Sequence, residues 1–321
     1  MPSRLDDINE QRKQTLERLR SRGINPYPNR YQQTHTTQEA IAQLEEMEAQ
    51  ETSQRAKSRA FGKETEPVSV AGRITAIRKM GKSSFLDVSD VSGKIQLLLQ
   101  NANFNEEQQK LFKDLDIGDI IGVEGNLLRT KTGEPTVWVG DFTLLAKSLQ
   151  PLPEKWHGLS DTDKRYRQRY VDLIANNEVK EVFKVRSRVI GAIRQFLDRR
   201  GFIEVETPVL HSSAGGALAA PFVTHHNTLD QDFYLRIALE LHLKRLIVGG
   251  FDKVYEMGRI FRNEGISTTH SPEFTMLESY EAYADYTDVM EMLEEMVPWV
   301  SRQVLGDTQV EVLVESIMVR Y

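Results

Sequence analysis

A chain of 321 residues with 40% hydrophobic and 27% charged content has the composition of a soluble globular protein and the length for two domains. No apolar run approaches the ~20 residues of a helical membrane span, the opening MPSRLDDINEQRKQ has no apolar leader core, and the lack of cysteine excludes disulfides and thiolate zinc sites, so a cytoplasmic location is expected. The formal net charge of −6 excludes little, because nucleic-acid affinity follows local basic surface and not the total.

Leu5, Ile8, Leu16 and Leu19 fall near helical spacing, and Gly23 with Pro26 and Pro28 ends that helix. Arg4, Arg12, Lys13, Arg18, Arg20 and Arg22 on its other faces suit either a solvated amphipathic helix or a patch touching phosphates. Thr36 and Glu39 form a capping box for a second helix reaching about Ala49, and 50–67 reads as a charged linker or irregular helix. Residues 1–66 are thus a helical N-terminal extension.

From 67 to 150 the pattern changes to short strands. Val68, Val70, Gly72 and Ile74 alternate, Gly81 marks a turn, and Phe85–Val88 and Ile95–Leu99 follow. A short helix near Glu106–Leu115 precedes Asp119–Arg129 and Thr136–Leu145. Three strands, a helix and two strands predict a five-stranded barrel of the oligonucleotide-binding type, whose second and third strands stack bases on aromatics. Phe85 and Gln96 lie on those strands and Arg78 just before them. Alone, Phe85 reads as a core aromatic and Gln96 as a solvated strand residue.

Residues 151–177 are the expected hinge. Within it RYRQRYVDL, Arg165–Leu173, contacts nucleic acid or packs the domains together. Val182, Val185, Val189, Ile193 and Phe196 then keep helical spacing to Gly201, and FIEVETP, Phe202–Pro208, reads as a strand closed by proline. Gly215-Gly216 allows close backbone approach to a ligand. His225 and His226 are adjacent on a strand and point to opposite faces, so no metal site is assigned.

Val254 to Tyr286 reads as two strands around a polar loop, Asn263–Pro272. Glu256, Gly258, Ile260 and Arg262 share one strand face, and Phe274, Met276, Glu278 and Tyr280 another. An arginine, carboxylates, a hydroxyl and an aromatic plane suit a charged, partly flat ligand; a hairpin with a solvated face is the plain alternative. Thr287 or Asp288 then caps a helix with Val289, Leu293, Met296 and Val300 inward, and Val310, Val312 and Val314 alternate as a strand.

FRNEGIS, HSPEF and ESYEAYADY together resemble the second signature motif of class II aminoacyl-tRNA synthetases, in the form found in lysyl-tRNA synthetases. The helix, strand and Pro208 resemble the first motif, and AGRITAIRKMGKSSF with GKIQLLL resembles the anticodon-binding barrel of the lysyl, aspartyl and asparaginyl enzymes. The resemblance implies an α+β fold: an OB-type barrel, then a partial class II catalytic domain over 178–321 with an incomplete antiparallel sheet flanked by helices. It implies a lysine–tRNA ligase using lysine, ATP with Mg²⁺, and tRNA(Lys), and a homodimer through 178–208.

By the same resemblance Arg262 is the catalytic arginine bridging the α-phosphate and the substrate carboxylate. Glu264 accepts from the adenine amino group, Phe274 stacks on the ring, and His270 lies near the phosphates. Gly216 and Glu240 line the lysine site, Glu240 accepting the α-ammonium, while Glu278 and Tyr280 face the ε-ammonium. Phe85, Gln96 and Arg78 read the central anticodon base. Thr269 and Ala220 stand where the family has arginine, Ser271 where it has asparagine, and Leu239 where it has proline. The Mg²⁺-holding carboxylates and the third motif are not matched. The expectation is therefore a truncated or diverged ligase, weak or inactive alone, with a non-catalytic tRNA-binding or regulatory relative as the alternative.

Overall fold

The structure, a computed structural model, describes residues 4–50, 66–153, 159–267, 270–309, 311–314 and 317–320. The expected linker over 50–67 lies mostly outside the described residues, as do Thr269, Val310 and residues 154–158 of the expected hinge. The chain divides into two compact units, Met1–Ala175 and Asn176–Tyr321.

The first unit opens with α1 (Arg4–Ser21) and α2 (Thr37–Ala49). Then come β1 (Val68–Met80), β2 (Ser83–Ser89), β3 (Lys94–Gln100), α3 (Glu106–Lys113), β4 (Ile120–Arg129) and β5 (Pro135–Ala146). The strands close into a barrel in the order β1-β2-β3-β5-β4, antiparallel except for the β3–β5 pair. Period-two alternation turns Leu86 and Val88, Ile95, Leu97 and Leu99, and Val137 and Val139 into one core. Each such buried side chain contributes roughly 1.5–3 kcal/mol. The Thr36–Glu39 capping box opens α2 as its spacing predicts. The short α4 (Thr162–Arg167) and α5 (Arg169–Ala175) end the unit, with buried Asp172 accepting from Arg165 at 2.8 Å.

Neither reading of the α1 arginines fits all of them. Arg12 is buried and donates to the carbonyls of Ser148, Gln150 and Ile117. Arg18 and Arg22 both reach Asp114, at 2.5 and 2.7 Å. These guanidiniums fasten α1 to the barrel, because its unpaired carbonyls and carboxylates there need donors. Leu5 is exposed, while Leu16 and Leu19 carry the packing.

The second unit contains α6 (Asn177–Arg199), β6 (Ile203–Glu204), β7 (Leu210–His211), β8 (Val223–His226), β9 (Gln231–Leu235) and α7 (Glu240–Val248). It continues with β10 (Lys253–Phe261), β11 (Glu273–Glu281), α8 (Tyr286–Leu305), β12 (Glu311–Val314) and β13 (Ile317–Arg320). One sheet has the order β11-β10-β6, antiparallel between β10 and β11 and parallel between β10 and β6; a second is β7-β9-β8. Strand β6 covers only two residues of the expected Phe202–Pro208 run.

Ala192, Phe196 and Leu197 of α6 pack with Phe202, Tyr255 and the inner face of α8. That inner face is Met292, Met296, Val300 and Val304; Val289 and Leu293, expected inside, are exposed, as is Val182 on α6. The helix starts two to three residues earlier than expected, with Asp285 as its cap, accepting from the Thr287 N–H and sharing a capping box with Asp288. The sequence admits two neighbouring apolar stripes on α8, and the longer Met292–Val304 stripe is the one that buries.

Candidate active site

Strands β10 and β11 pair without a bulge, with Glu256 opposite Glu278, Gly258 opposite Met276 and Ile260 opposite Phe274. Directly opposed residues project to the same side, so the two predicted faces are one face. Its floor is a buried ion pair. Glu256 accepts from Arg236 at 2.5 Å and from the Thr207 hydroxyl at 2.6 Å, and Arg236 also donates to the carbonyls of Arg259 and Thr207. A Cβ at Gly258 would meet the Arg236 guanidinium at 2.2 Å, so glycine there is what lets this arginine lie against that side of the sheet. Glu256 thus belongs to the support of the face and not to its open surface.

At one end of the face the Arg262 guanidinium lies 5.3 Å from the centre of the half-buried Phe274 ring. Arg262 Nε donates to the Ile237 carbonyl at 3.3 Å, and its backbone N–H donates to Pro272 at 2.8 Å. One nitrogen is thereby anchored, and the terminal nitrogens have no partner among the described residues. A planar cation over an aromatic plane is suited to an anion beside a flat ring.

At the other end the Glu278 carboxylate accepts the Leu239 N–H at 3.0 Å and the Tyr280 hydroxyl at 3.2 Å. Leu239 is the N-cap of α7 and offers no side-chain cap, so Glu278 satisfies an orphan donor at the positive end of that helix. Burial, together with the charges of Glu278 and Glu240, pushes the Tyr280 phenol well above its ordinary range and keeps it a donor. Gly216, at φ 89°, brings its backbone against α7: a Cβ there would sit 3.1 Å from Ala238 and 3.3 Å from Glu240. Glu240 itself is paired with Lys244 at 2.5 Å.

The connecting loop is exposed. Glu264 lies in it without a partner among the described residues, and the Ser267 hydroxyl meets His270 Nδ1 at 2.8 Å. The carbonyl of Ala220 accepts the Asn263 N–H at 2.8 Å, tying the 211–220 segment to the loop. His225 bonds Asp232 at 2.9 Å, and His226 lies tilted against Phe233. Among the described residues no group of three or more His, Asp or Glu side chains is placed to hold a metal ion.

In the first unit, Arg78 lies opposite Phe85, and Asp87 opposite Gln96, on the outer face of the barrel. Asp87 holds Arg78 at 2.7 and 3.2 Å and Lys94 at 3.3 Å. Burial raises the Asp87 carboxyl, but these cations outweigh it and leave its pKa below the usual range. Phe85 is half-buried, open on one side, and Gln96 bonds the Thr136 hydroxyl at 3.0 Å.

Comparison with known families gives two matches: class II tRNA synthetases (D, K and N) over residues 161–319, and an OB-fold nucleic acid binding domain over 68–152. A lysine–tRNA ligase of Dehalococcoides mccartyi is 58% identical over 299 residues, which is 93% of this chain. Those of Moorella thermoacetica and Carboxydothermus hydrogenoformans are 56% and 52% identical over 95% of it. The chain belongs to the class II tRNA synthetases. It spans 58–59% of the length of these relatives.

Membership of the class II synthetases was legible in the hairpin, but three contacts of the hairpin face and the barrel were not read from the sequence. The Arg236–Glu256 pair hid inside apolar strands, where a charge at a core-facing position is the signal. The Thr136 hydroxyl looked like an ordinary strand residue. The Leu239 N–H could not be seen, because a backbone donor has no letter of its own.

Proposed function

We propose that this chain carries the adenylate-forming face and the anticodon-reading barrel of a lysine–tRNA ligase. The observation that carries the reading is one sheet face holding Arg262 over Phe274 at one end and Glu278 with Tyr280 at the other. In the first step a lysine carboxylate oxygen bonds to the α-phosphorus of ATP, the bond from that phosphorus to the bridging oxygen breaks, and pyrophosphate leaves with its electrons. In the second, a terminal ribose hydroxyl of the tRNA bonds to the lysyl carbonyl, AMP leaves, and the hydroxyl proton passes to solvent. Neither step needs a protein nucleophile; placement and charge neutralisation supply the rate.

Arg262 neutralises the α-phosphate and lysine carboxylate, Phe274 stacks on the adenine, and Glu264 accepts from its amino group. His270 lies beside the phosphates. Glu240 and the Gly216 backbone receive the α-amino end, with Glu240 leaving Lys244 to do so. Glu278 and Tyr280 receive the ε-ammonium. A site for an aspartyl substrate would need a cation where Glu278 stands, which favours lysine. The partners are tRNA(Lys), lysine and ATP, with a homodimer through 178–208.

Ala220 and Thr269, where the resemblance has arginine, remove charge-assisted hydrogen bonds worth about 1.5–3 kcal/mol each, so adenylate formation by this chain is slow. Pyrophosphate exchange with ATP tests the reading: slow exchange dependent on lysine is expected, and exchange driven by aspartate or asparagine overturns it. The same substitutions favour a second reading, a non-catalytic tRNA binder. Binding of tRNA(Lys) with no exchange at any lysine concentration selects that one.

A further inference from the structure

The outer face of the barrel is built in rows. Pairing of β1 with β2, β2 with β3 and β3 with β5 sets Arg78, Phe85, Leu98 and Trp138 side by side across four strands. The next row is Ala76, Asp87, Gln96 and Thr136. An apolar and aromatic shelf therefore runs beside a polar row, and Gln96 is the amide of that row.

Gln96 does not hang free. Its Oε1 lies 3.0 Å from the hydroxyl of Thr136, whose residue is fully buried. A side-chain amide has two faces to offer, a carbonyl that accepts and an NH₂ that donates twice. Which one meets a ligand depends on which is engaged behind it. With Oε1 held by Thr136, the two N–H groups of Gln96 are left for whatever lies on the shelf.

The hydroxyl has a competing acceptor. Thr136 Oγ1 is also 3.1 Å from the Glu134 carbonyl, and it carries one proton. Given to Glu134, that proton would leave Oγ1 as an acceptor, and the amide would turn to donate to it and present its carbonyl outward. The neighbouring charge decides between the two. Asp87, directly opposite Gln96 on β2, is a carboxylate, and beside its negative charge an outward NH₂ is favoured over an outward carbonyl.

We infer that Thr136 is a positioning residue for base recognition: it pins Gln96 Oε1, so that Gln96 reads a base whose edge presents a keto oxygen and rejects one presenting an amino group. This deepens the reading of the barrel as an anticodon reader and rests on it. Uracil and cytosine have the same ring and differ at that edge by a keto against an amino group, so they are the matched probes.

The test is equilibrium binding of the full 321-residue chain to two anticodon stem-loops of tRNA(Lys) sequence, with uracil or cytosine at the central anticodon position. The wild type is expected to prefer uracil by roughly tenfold. Thr136→Val keeps the β-branched shape and removes the hydroxyl, so the amide is free to turn and the preference falls towards unity. The dependence of binding on salt, which reports phosphate contacts, stays as in the wild type. Thr136→Ser restores the preference. Gln96→Glu, which only accepts, reverses it in favour of cytosine.

A Thr136→Val protein that keeps the full wild-type preference overturns the inference and leaves the anticodon reading standing. So does a wild type that prefers cytosine, since the amide is then turned the other way. A wild type indifferent to the central base overturns both. Gln96→Glu gives an independent answer should the valine variant fail to fold: an unchanged preference for uracil overturns the inference.

Discussion

The hydroxyl of Tyr280 donates to Oε2 of Glu278 at 3.2 Å, from a position two residues further along the same face of β11. The other oxygen of that carboxylate accepts the Leu239 N–H at 3.0 Å. Glu278 is thus held at both oxygens, and its charge is set in place before a ligand arrives. Tyr280→Phe releases one oxygen and is expected to weaken binding of a hydrolysis-resistant lysyl-adenylate analogue about three- to tenfold, with little change in stability. Calorimetric titration checks this. Equal affinity in the two proteins would remove Tyr280 from the site.

The floor of the site is expected to be brittle. Arg236→Met leaves the Glu256 carboxylate buried without its cation, which costs about 3–5 kcal/mol. Gly258→Ala drives a methyl into the Arg236 guanidinium and costs about 1–3 kcal/mol. Urea unfolding of the second unit's transition measures both.

The barrel is expected to lose stability in acid through Asp87. Its carboxyl has a folded pKa below the unfolded value, near ~3.9. Its contribution is therefore fully present above about pH 4 and is lost as pH falls through the lower folded value. Asp87→Asn is expected to be less stable than wild type by a constant amount from pH 8 to about 5, with the gap closing below pH 4. A gap independent of pH would show that the Arg78 and Lys94 pairing is not its source.

Phe183, Arg186, Ser187, Ile190, Gly191 and Arg194 line a groove along one side of α6, with Val182 and Phe183 exposed beside it. Apolar side chains at this density on an open helix face favour association. Phe183→Asp is expected to shift a homodimer towards monomer in sedimentation velocity. A wild type that is monomeric at tens of micromolar would contradict the proposed dimer.

Much of the fold was legible because its signals are local. The barrel strands announce themselves by alternation and by Gly81, and α2 by Thr36 and Glu39, since pleat and cap are written in neighbouring residues. On α8 the buried Met296 and Val300 were legible, but Met292 and Val304 were not, because Val289 and Leu293 continue as good a helical stripe and only packing against α6 chooses. The role of Arg12 was hidden for the same reason, since its carbonyl partners lie more than a hundred residues away in sequence. Within the site, the opposed side chains of β10 and β11 followed from period two, whereas Leu239 and Glu278 meet only once α7 is laid across the end of the sheet.

The central claim is that one end of the β10–β11 face holds the adenylate and the other the lysine ammonium. Affinities of wild type, Arg262→Ala and Glu278→Gln for lysyl- and aspartyl-adenylate analogues test it most directly. Arg262→Ala is expected to weaken both analogues by a similar factor, about ten- to a hundredfold. Glu278→Gln is expected to weaken the lysyl analogue alone and so erase the preference for lysine. Loss of both analogues to the same degree in Glu278→Gln, or an undiminished lysine preference there, would contradict the account.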